Sequence, residues 1–290
     1  MAVENNLSTP QGGALSIDFS EQFNRGIRGI REILNVTREL PVPVGGSVKI
    51  YTDEVTLDGG NVEAGEIIPL SKVVRTLADT IDMTADKRRK SVPVEDVMAV
   101  GYEKAIEQTD AALLRKLYAN IRTGLISGLA QGTAAVSGNN LQATLAKAVA
   151  GVGAIFEDED VESVAFISFT DLADYYADHQ VTLESENGLQ YLKNFLGFDV
   201  VIVSNSVPAG TLYATASQNL VFAYSVIGGE VTRAFPAMYT DPEMPMIGIL
   251  HDTQHERLTA ETVTLSNTAI FAENLAGVVV GTIGDGGASA

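Results

Sequence analysis

The residues with the clearest potential for chemistry lie in one short segment, where two histidines and two carboxylates follow one another. His251, Asp252, His255 and Glu256 are residue types that bind divalent metals, and histidines four positions apart share one face of a helix. Residues 246–265, however, alternate apolar and polar side chains, which predicts extended strand, where the two histidines would lie about 13 Å apart. The pattern therefore favours ordinary strand residues, and a metal-dependent hydrolase is the enzymatic alternative.

Other common catalytic patterns are missing from the sequence. The acidic run at residues 157–160 lacks the alternating ligands and central glycine of a calcium loop, which favours a solvated turn. No Gly-x-Ser-x-Gly elbow occurs, and no Lys-Ser or Lys-Thr follows the paired glycines as in a phosphate-binding loop. The chain has no cysteine, which excludes disulfides and thiolate chemistry. We therefore predict a protein that is not an enzyme and needs no cofactor or metal.

The charge balance argues against direct reading of nucleic acid. There are 19 basic and 37 acidic residues, a formal net charge of −18, and such a chain is repelled by phosphates. We interpret the one basic run, Lys87 to Lys90, as a solvated turn before a helix. The alternative is that this run contacts phosphate or an acidic neighbour.

No stretch approaches the roughly 18 apolar residues of a membrane span, and the first 13 residues do not resemble a signal peptide. We expect a cytoplasmic protein.

The first third of the chain predicts a helix followed by a projecting hairpin. Residues up to about 12 lack periodicity and are expected to be mobile, whereas Phe19 to Leu34 repeat apolar residues at helical spacing. Val48 to Tyr51 alternates like a strand, and Asp58 to Asn61 is a strong turn signal. The segment from Asp53 to Gly65 is polar and has few large apolar groups. We expect the hairpin to project, because it buries little against its own chain.

The remainder predicts a long helix and a second lobe. Apolar residues at helical spacing predict one uninterrupted helix from Pro93 to about Leu129, roughly 55 Å long. The Gly-, Ala-, Ser- and Asn-rich segment 132–140 marks a change of lobe. A helix from Leu141 to Phe156 and several short apolar runs then indicate a compact α/β lobe, and residues 246–265 indicate one very long strand or a pair of strands. The buried-strand candidates are residues 164–169, 198–203, 220–224 and 278–283.

These elements, in this order, resemble the major capsid proteins of tailed bacteriophages with the Hong Kong 97-type fold. The resemblance covers nearly the whole chain, and its most specific part is the end, where Glu256-Arg-Leu258 and then residues 275–283 look like the closing strands of these coat proteins. It implies an α+β fold with six parts. These are an N-terminal arm (1–44), an extended hairpin loop or E-loop (45–83), a peripheral domain with a long spine helix (84–137), an axial α/β domain (138–228), peripheral return strands (229–270), and a final axial strand with a C-terminal tail (271–290).

The resemblance also implies a function. Many copies would assemble, as hexamers and pentamers, into an icosahedral shell that encloses the phage double-stranded DNA genome without sequence-specific binding. The protein would belong to the virion capsid and assemble in the cytoplasm of the host bacterium. Since few residues precede the first predicted helix, a separate scaffolding protein is expected, together with a portal. An encapsulin-like cellular nanocompartment has the same fold and remains the alternative.

We expect two sets of intersubunit contacts from this resemblance. The first set lies at the tip of the hairpin loop and comprises Asp58, Gly59, Gly60, Asn61 and Glu63. The second set lies on the N-terminal arm and comprises Phe19, Phe23, Arg28 and Arg31. Some relatives crosslink a hairpin lysine to an asparagine of another subunit. Lys49 and Lys72 are the hairpin lysines of this chain, and nothing in the sequence around them supports that reaction.

Overall fold

The structure is a computed structural model that describes residues 12–43, 45–58, 61–62, 67, 70–157, 161–177, 179–186 and 189–284. Within these residues, helices combine with four β-sheets, which confirms the α+β class. The first half contains α1 (Gly12–Ile33), β1 (Glu39–Val42), β2 (Ser47–Thr56), β3 (Lys72–Asp82), β4 (Asp86–Pro93), α2 (Val94–Val100), α3 (Tyr102–Leu129) and β5 (Ala134–Gly138). The second half contains α4 (Leu141–Ile155), β6 (Ser163–Ile167), α5 (Phe169–Tyr176), β7 (Glu184–Glu186), β8 (Leu189–Phe195), β9 (Phe198–Val203), β10 (Thr211–Ala216), β11 (Leu220–Ser225), α6 (Glu230–Ala234), β12 (Tyr239–Thr240), β13 (Ile247–Gln254), β14 (Thr259–Ser266), β15 (Thr268–Ala272) and β16 (Val279–Ile283).

Helix α1 packs inside the body of the chain, against α3 and β13. Its apolar stripe joins the largest core cluster, because the side chains at the predicted three- and four-residue steps all point to one face. The approach to α3 is close, since a Cβ atom on Gly26 would lie 2.3 Å from the Tyr118 ring. The Tyr118 hydroxyl donates to the Gln22 carbonyl at 2.7 Å. Residues 1–11 of the predicted tail lie outside the described residues.

The segment after α1 is also part of the body. Strand β1 pairs in parallel with β11, with Glu39 opposite Phe222 and Val42 opposite Ser225. The described part of residues 1–44 therefore contributes a helix and a strand to the core of its own chain, and a separate arm over residues 1–44 remains a prediction. The periodicity of α1 was recognised correctly, but a one-sided apolar helix packs equally well on its own chain or on a neighbour.

The predicted spine helix is interrupted at Gly101. Its backbone takes φ 91° and ψ 151°, which ends α2 and begins α3, and positive φ is a region that glycine enters without steric cost. The seven-residue α2 has no buried residue, whereas α3 keeps its 28 residues and a buried stripe, about 42 Å of helix. The prediction of one uninterrupted helix from Pro93 is therefore wrong at Gly101, where the short α2 ends, and residues 102–129 form the spine.

The basic run lies on a strand, which corrects its interpretation as a solvated turn. Strand β4 is the edge of a four-stranded antiparallel sheet with order β12-β13-β14-β4. Arg89 forms a bidentate pair with Glu261 on β14, at 2.5 and 2.9 Å, and this carboxylate raises the pKa of Arg89 further. Strands β13 and β14 form the paired long strands predicted for residues 246–265.

The second lobe is built on a seven-stranded mixed sheet with order β5-β16-β10-β6-β9-β8-β7. Helix α4 packs on β5, β10 and β16 and covers a core cluster of its own. The chain end returns to this sheet, since β16 pairs in parallel with β5. Strand β5 starts at Ala134, and β11 lies in the three-stranded sheet β1-β11-β15. The predicted domain limits at residues 138 and 228 remain expectations. No helix within the described ranges is long and apolar enough to cross a membrane.

Candidate intersubunit surface

The base of the β2–β3 hairpin is fixed to the body. Ile50 and Met83 are 5% and 3% exposed, and they pack in a cluster with Val221 and Phe271. The Met83 amide donates to the Gly46 carbonyl at 3.0 Å. The Met83 carbonyl in turn accepts a 3.0 Å hydrogen bond from the Asn267 side chain, which is buried. The hairpin therefore leaves the body from a rigid attachment, and the hairpin predicted for residues 45–83 is present as β2 and β3.

Beyond its base the hairpin is largely exposed over its described residues. The strand register shifts between Ile50 and Tyr51, and such a bulge bends and twists a ribbon. We call residues 51–58 and 70–77 the distal hairpin. Apart from half-buried Val74, every distal-hairpin side chain that the structure describes is exposed. Strands β2 and β3 pair only with each other within the described residues, and an isolated two-stranded hairpin is marginally stable in water.

One side of the distal hairpin is mainly apolar, although the Asp53 and Arg75 positions lie opposite each other between its apolar pairs. The antiparallel register places Tyr51 opposite Leu77 and Val55 opposite Val73, and residues directly opposite each other share a face. Leu57 continues this alternation. The exposed fractions of these side chains are 46% for Tyr51, 57% for Val55, 81% for Leu57, 61% for Val73 and 54% for Leu77. We call this set the apolar face, and a solvated apolar face on a marginal ribbon is typical of a surface that binds a partner.

The other side is polar. Glu54, Thr56 and Lys72 project there and are exposed, and Val74 lies opposite Glu54. The two sides therefore differ as the two sides of a half-buried ribbon do. On the apolar side, the Arg75 guanidinium lies 5.2 Å from the centre of the Tyr51 ring. A partner is expected to cover the apolar side and leave the polar side in solvent.

The predicted hairpin contacts fall around the tip. Asp58 and Asn61 are both exposed, and the Asp58 amide donates to the Ser71 hydroxyl at 3.3 Å. Gly59, Gly60 and Glu63 lie outside the described residues. The paired strands end with Thr56 opposite Lys72, so the connection is longer than the tight turn predicted at 58–61. Sequence reasoning treated the distal hairpin as polar and overlooked the apolar face, although its every-second-residue spacing was visible in the sequence.

The structure places two predicted arm contacts in the interior. Phe19 is 2% and Phe23 0% exposed, and both belong to the largest core cluster. The Phe23 ring stacks on Tyr118 at 5.9 Å between centroids. These side chains lie in the interior of their own subunit, and a contact of Phe19 or Phe23 with a neighbouring subunit remains a prediction.

The two predicted arm arginines differ from each other. Arg31 pairs with Glu39 at 2.5 Å and lies 5.2 Å from the centre of the Phe222 ring, so it joins α1 to β1 and β11 of its own chain. Arg28 is exposed and directs one guanidinium nitrogen to the Met244 sulfur at 3.2 Å. A contact of Arg28 with another subunit remains a prediction.

The histidine segment takes part in a buried polar cluster. The His251 side chain is 1% exposed, and its Nε2 lies 3.2 Å from Asp110 Oδ2, while its Nδ1 lies 2.7 Å from the Ser16 hydroxyl. Asp110 also pairs with Lys90 at 2.7 Å. The cluster joins α1, β4, α3 and β13. His255 lies in the exposed turn after β13, and among the described residues no three metal-binding side chains group together.

Removing the lysine of this cluster is expected to destabilise the subunit. Burial lowers the pKa of Lys90, and the Asp110 carboxylate opposes that change. The variant Lys90→Met leaves a largely buried carboxylate without its cation, so we expect the free energy of unfolding to fall by about 2–4 kcal/mol in urea titrations. Adding Asp110→Asn keeps an acceptor for His251 and removes the charge, and we expect the double variant to recover most of the loss. If the double variant instead loses the sum of the two single losses in the free energy of unfolding, Lys90 and Asp110 are not coupled.

Solved structures with the same arrangement are capsid shells. The capsid of an empty GTA particle matches with a TM-score of 0.57 and 10% identity, over 98% of this chain and 94% of that one. The capsid of the Cyanophage P-SCSP1u matches with a TM-score of 0.56 and 10% identity, over 86% and 87%. The SrpI encapsulin from Synechococcus elongatus PCC 7942 matches with a TM-score of 0.55 and 12% identity, over 89% and 88%.

At the level of sequence, no protein-family model and no curated protein matches the chain. The likeness therefore concerns the fold, and it spans most of each protein compared. The chain has the α+β Hong Kong 97-type fold of phage capsids and encapsulins.

Proposed function

We propose that this protein is the major capsid protein of a tailed bacteriophage, and that many copies assemble into an icosahedral shell around double-stranded DNA. The observation that carries the proposal is the exposed apolar face of the distal hairpin, on a chain whose fold is that of capsid shells. The shell would form from hexamers and pentamers in the host bacterial cytoplasm, with a separate scaffolding protein and a portal as partners. No catalytic role is part of the proposal.

Assembly gives the distal hairpin the support that its own chain does not provide. Fully burying one large aliphatic or aromatic side chain contributes about 1.5–3 kcal/mol, and the apolar face carries five of them. Part of this gain is offset by the ordering of the hairpin and the loss of subunit motion. The net free energy of each hairpin contact is gained again at every equivalent contact in the shell. A modest gain per hairpin therefore stabilises a closed shell of many copies.

The proposed cargo follows from the resemblance and is supported by charge. A chain with a formal net charge of −18 offers little attraction to phosphates, so packaged DNA would be enclosed without being held at fixed positions. An encapsulin-like compartment is the second candidate, because the SrpI encapsulin matches this chain over a similar length and with a similar TM-score. The two functions differ in what the particle contains.

The test is to purify the protein after expression alone and together with the other virion genes of its genome. We expect electron microscopy and light scattering to show closed particles, and nuclease-treated particles from the full gene set to retain double-stranded DNA. Particles that retain protein cargo and no DNA would favour the encapsulin-like function. A protein that stays monomeric under both conditions would refute shell formation.

A further inference from the structure

The second half of α3 carries positive charge in a chain that is otherwise strongly acidic. Residues 111–156 contain four basic residues and no acidic residue, although the whole chain has 37 acidic residues. Arg115 and Lys116 lie in this stretch, on α3, and both side chains are exposed. Negative charge on neighbouring residues of the same helix therefore does not offset these two cations.

Helix α1 adds two more cations to the same surface. Arg25 and Arg28 are both exposed, and residues three apart lie on one side of a helix. The two helices are adjacent, because the Tyr118 hydroxyl of α3 donates to the Gln22 carbonyl of α1. Arg115 lies one turn before Tyr118, so it lies near α1. We call the four exposed cations of these two helices the basic patch: Arg25, Arg28, Arg115 and Lys116.

The basic patch differs from the basic run on β4, which is largely neutralised. Three of the four cations of that run, Arg88, Arg89 and Lys90, form ion pairs with carboxylates. Over the part of the chain that the structure describes, no member of the basic patch forms such a pair. Glu21 and Glu32 flank the patch on α1 and confine it to the middle of that helix. The patch therefore offers a partner positive charge that the subunit itself does not compensate.

The negative net charge of the chain does not prevent contact of this patch with a polyanion. At physiological salt the field of a charge is screened beyond about 8 Å, so a phosphate on the patch responds mainly to the cations beside it. Adjacent helices lie about 8–10 Å apart, and a DNA duplex carries one phosphate charge per about 1.7 Å of its axis. Cations on two neighbouring helices therefore meet phosphates in any register of the duplex, without contacts to the bases.

We propose that the basic patch binds the phosphate backbone of the enclosed double-stranded DNA, and that the exposed side of α1 and α3 faces the interior of the shell. This inference rests on the proposed function and adds to it the surface of the subunit that meets DNA. Four cations per copy give a contact that is weak and salt-sensitive. The DNA is therefore attracted to the wall without being held at fixed positions.

The first test measures binding of a fluorescent duplex of about 20 base pairs to the unassembled native subunit by anisotropy. With four phosphate contacts, we expect the affinity to fall about a hundredfold between about 50 and 200 mM salt. The variant Arg115→Gln/Lys116→Gln leaves two contacts, so we expect a fall of about tenfold over the same range. The matched control Lys87→Gln/Lys104→Gln also removes two exposed cations, and we expect it to keep the native salt dependence.

The second test places the patch inside the particle. The chain has no cysteine, so a single introduced thiol can be labelled with the photoreactive reagent azidophenacyl bromide. Ala112 is exposed and lies three residues before Arg115, and we expect irradiated DNA-filled particles with Ala112→Cys to give protein–DNA adducts. The matched control is Ala99→Cys on the exposed side of α2, four residues from both Glu95 and Glu103, and we expect few adducts from it.

The outcomes separate this inference from the proposed function. If the native subunit does not bind the duplex at about 50 mM salt, or if the patch variant keeps the native salt dependence, the inference is wrong. Tighter binding of polyglutamate than of the duplex would assign the patch to an acidic protein segment and would also overturn it. DNA-filled particles that give adducts at Ala99→Cys and none at Ala112→Cys overturn the inference while the proposed function stands. If DNA-filled particles never form, the proposed function fails, and duplex binding by the free subunit still decides whether the patch binds DNA.

Discussion

Particle assembly is expected to be lost when Val55 is replaced by Lys and Val73 by Glu, while the subunit remains folded. The two valines are 57% and 61% exposed and lie directly opposite each other on the apolar face. The substitutions put an opposite-charge pair in their place, which supports strand pairing in the hairpin, and leave the net charge unchanged. The contact with a neighbour, however, now has to bury two charges in place of two methyl-rich side chains.

The expected loss of assembly is large because every copy in the particle carries the two substitutions. Losing the burial of two valines removes about 3 kcal/mol per contact, which is roughly a hundredfold in affinity before the cost of burying charge is added. Light scattering and electron microscopy measure the yield of particles, and circular dichroism of the unassembled fraction measures folding. We expect no closed particles and an unchanged helix signal.

A matched control lies on the polar side of the same hairpin. Thr56→Glu faces Lys72 and Val74→Lys faces Glu54, so this pair also keeps cross-strand attraction and the net charge. We expect it to assemble nearly as well as the native protein. If both double variants assemble equally, the distal hairpin does not hold subunits together, and if both fail equally, the hairpin acts through its strand structure and not through its apolar face.

The elements that sequence reasoning recovered are those specified by neighbouring residues. The apolar steps from Phe19 to Leu34 predict α1, and the alternation over 246–265 predicts β13 and β14. The order of elements then carried the resemblance to the Hong Kong 97-type fold, although identity to solved structures of that fold is only 10–12%. Element order and pattern persist because hydrophobic periodicity determines which faces are buried, whatever the individual side chains.

The wrong predictions concern segments whose secondary structure depends on residues elsewhere in the chain. The run Lys87 to Lys90 is a strand because β4 pairs with β14, which lies far along the chain, and Glu261 and Asp110 there and on α3 receive Arg89 and Lys90. A local pattern of four cations contains no information about those carboxylates. Gly101 is similar: glycine within an apolar helical stripe is tolerated in many helices, and only the folded backbone shows its positive φ.

The candidate surface was found only in part for a related reason. The sequence indicated a projecting hairpin and placed its contacts at the tip, around Asp58 and Asn61. The apolar face instead lies along both strands, from Tyr51 to Leu57 and from Val73 to Leu77. Which side chains share a face depends on the pairing register, and the register includes a bulge at Ile50 and Tyr51 that the sequence did not reveal.

The variant Phe23→Ala tests whether α1 belongs to the body of the free subunit. Phe23 is 0% exposed and its ring stacks on Tyr118, so truncation removes a full aromatic side chain and leaves a cavity between α1 and α3. We expect the free energy of unfolding to fall by about 3–5 kcal/mol, measured by urea titration in the assembly-deficient Val55→Lys/Val73→Glu background. This background separates the stability of the subunit from that of the shell.

The control is Arg25→Ala on the exposed side of the same helix, for which we expect a change below about 0.5 kcal/mol. A helix that reached out to a neighbour would give a different result, because Phe23 would then be solvated in the free subunit and its truncation would cost little. A loss below about 1 kcal/mol for Phe23→Ala would therefore support the prediction of a separate arm. A loss in the expected range means that α1 is folded onto α3 before assembly.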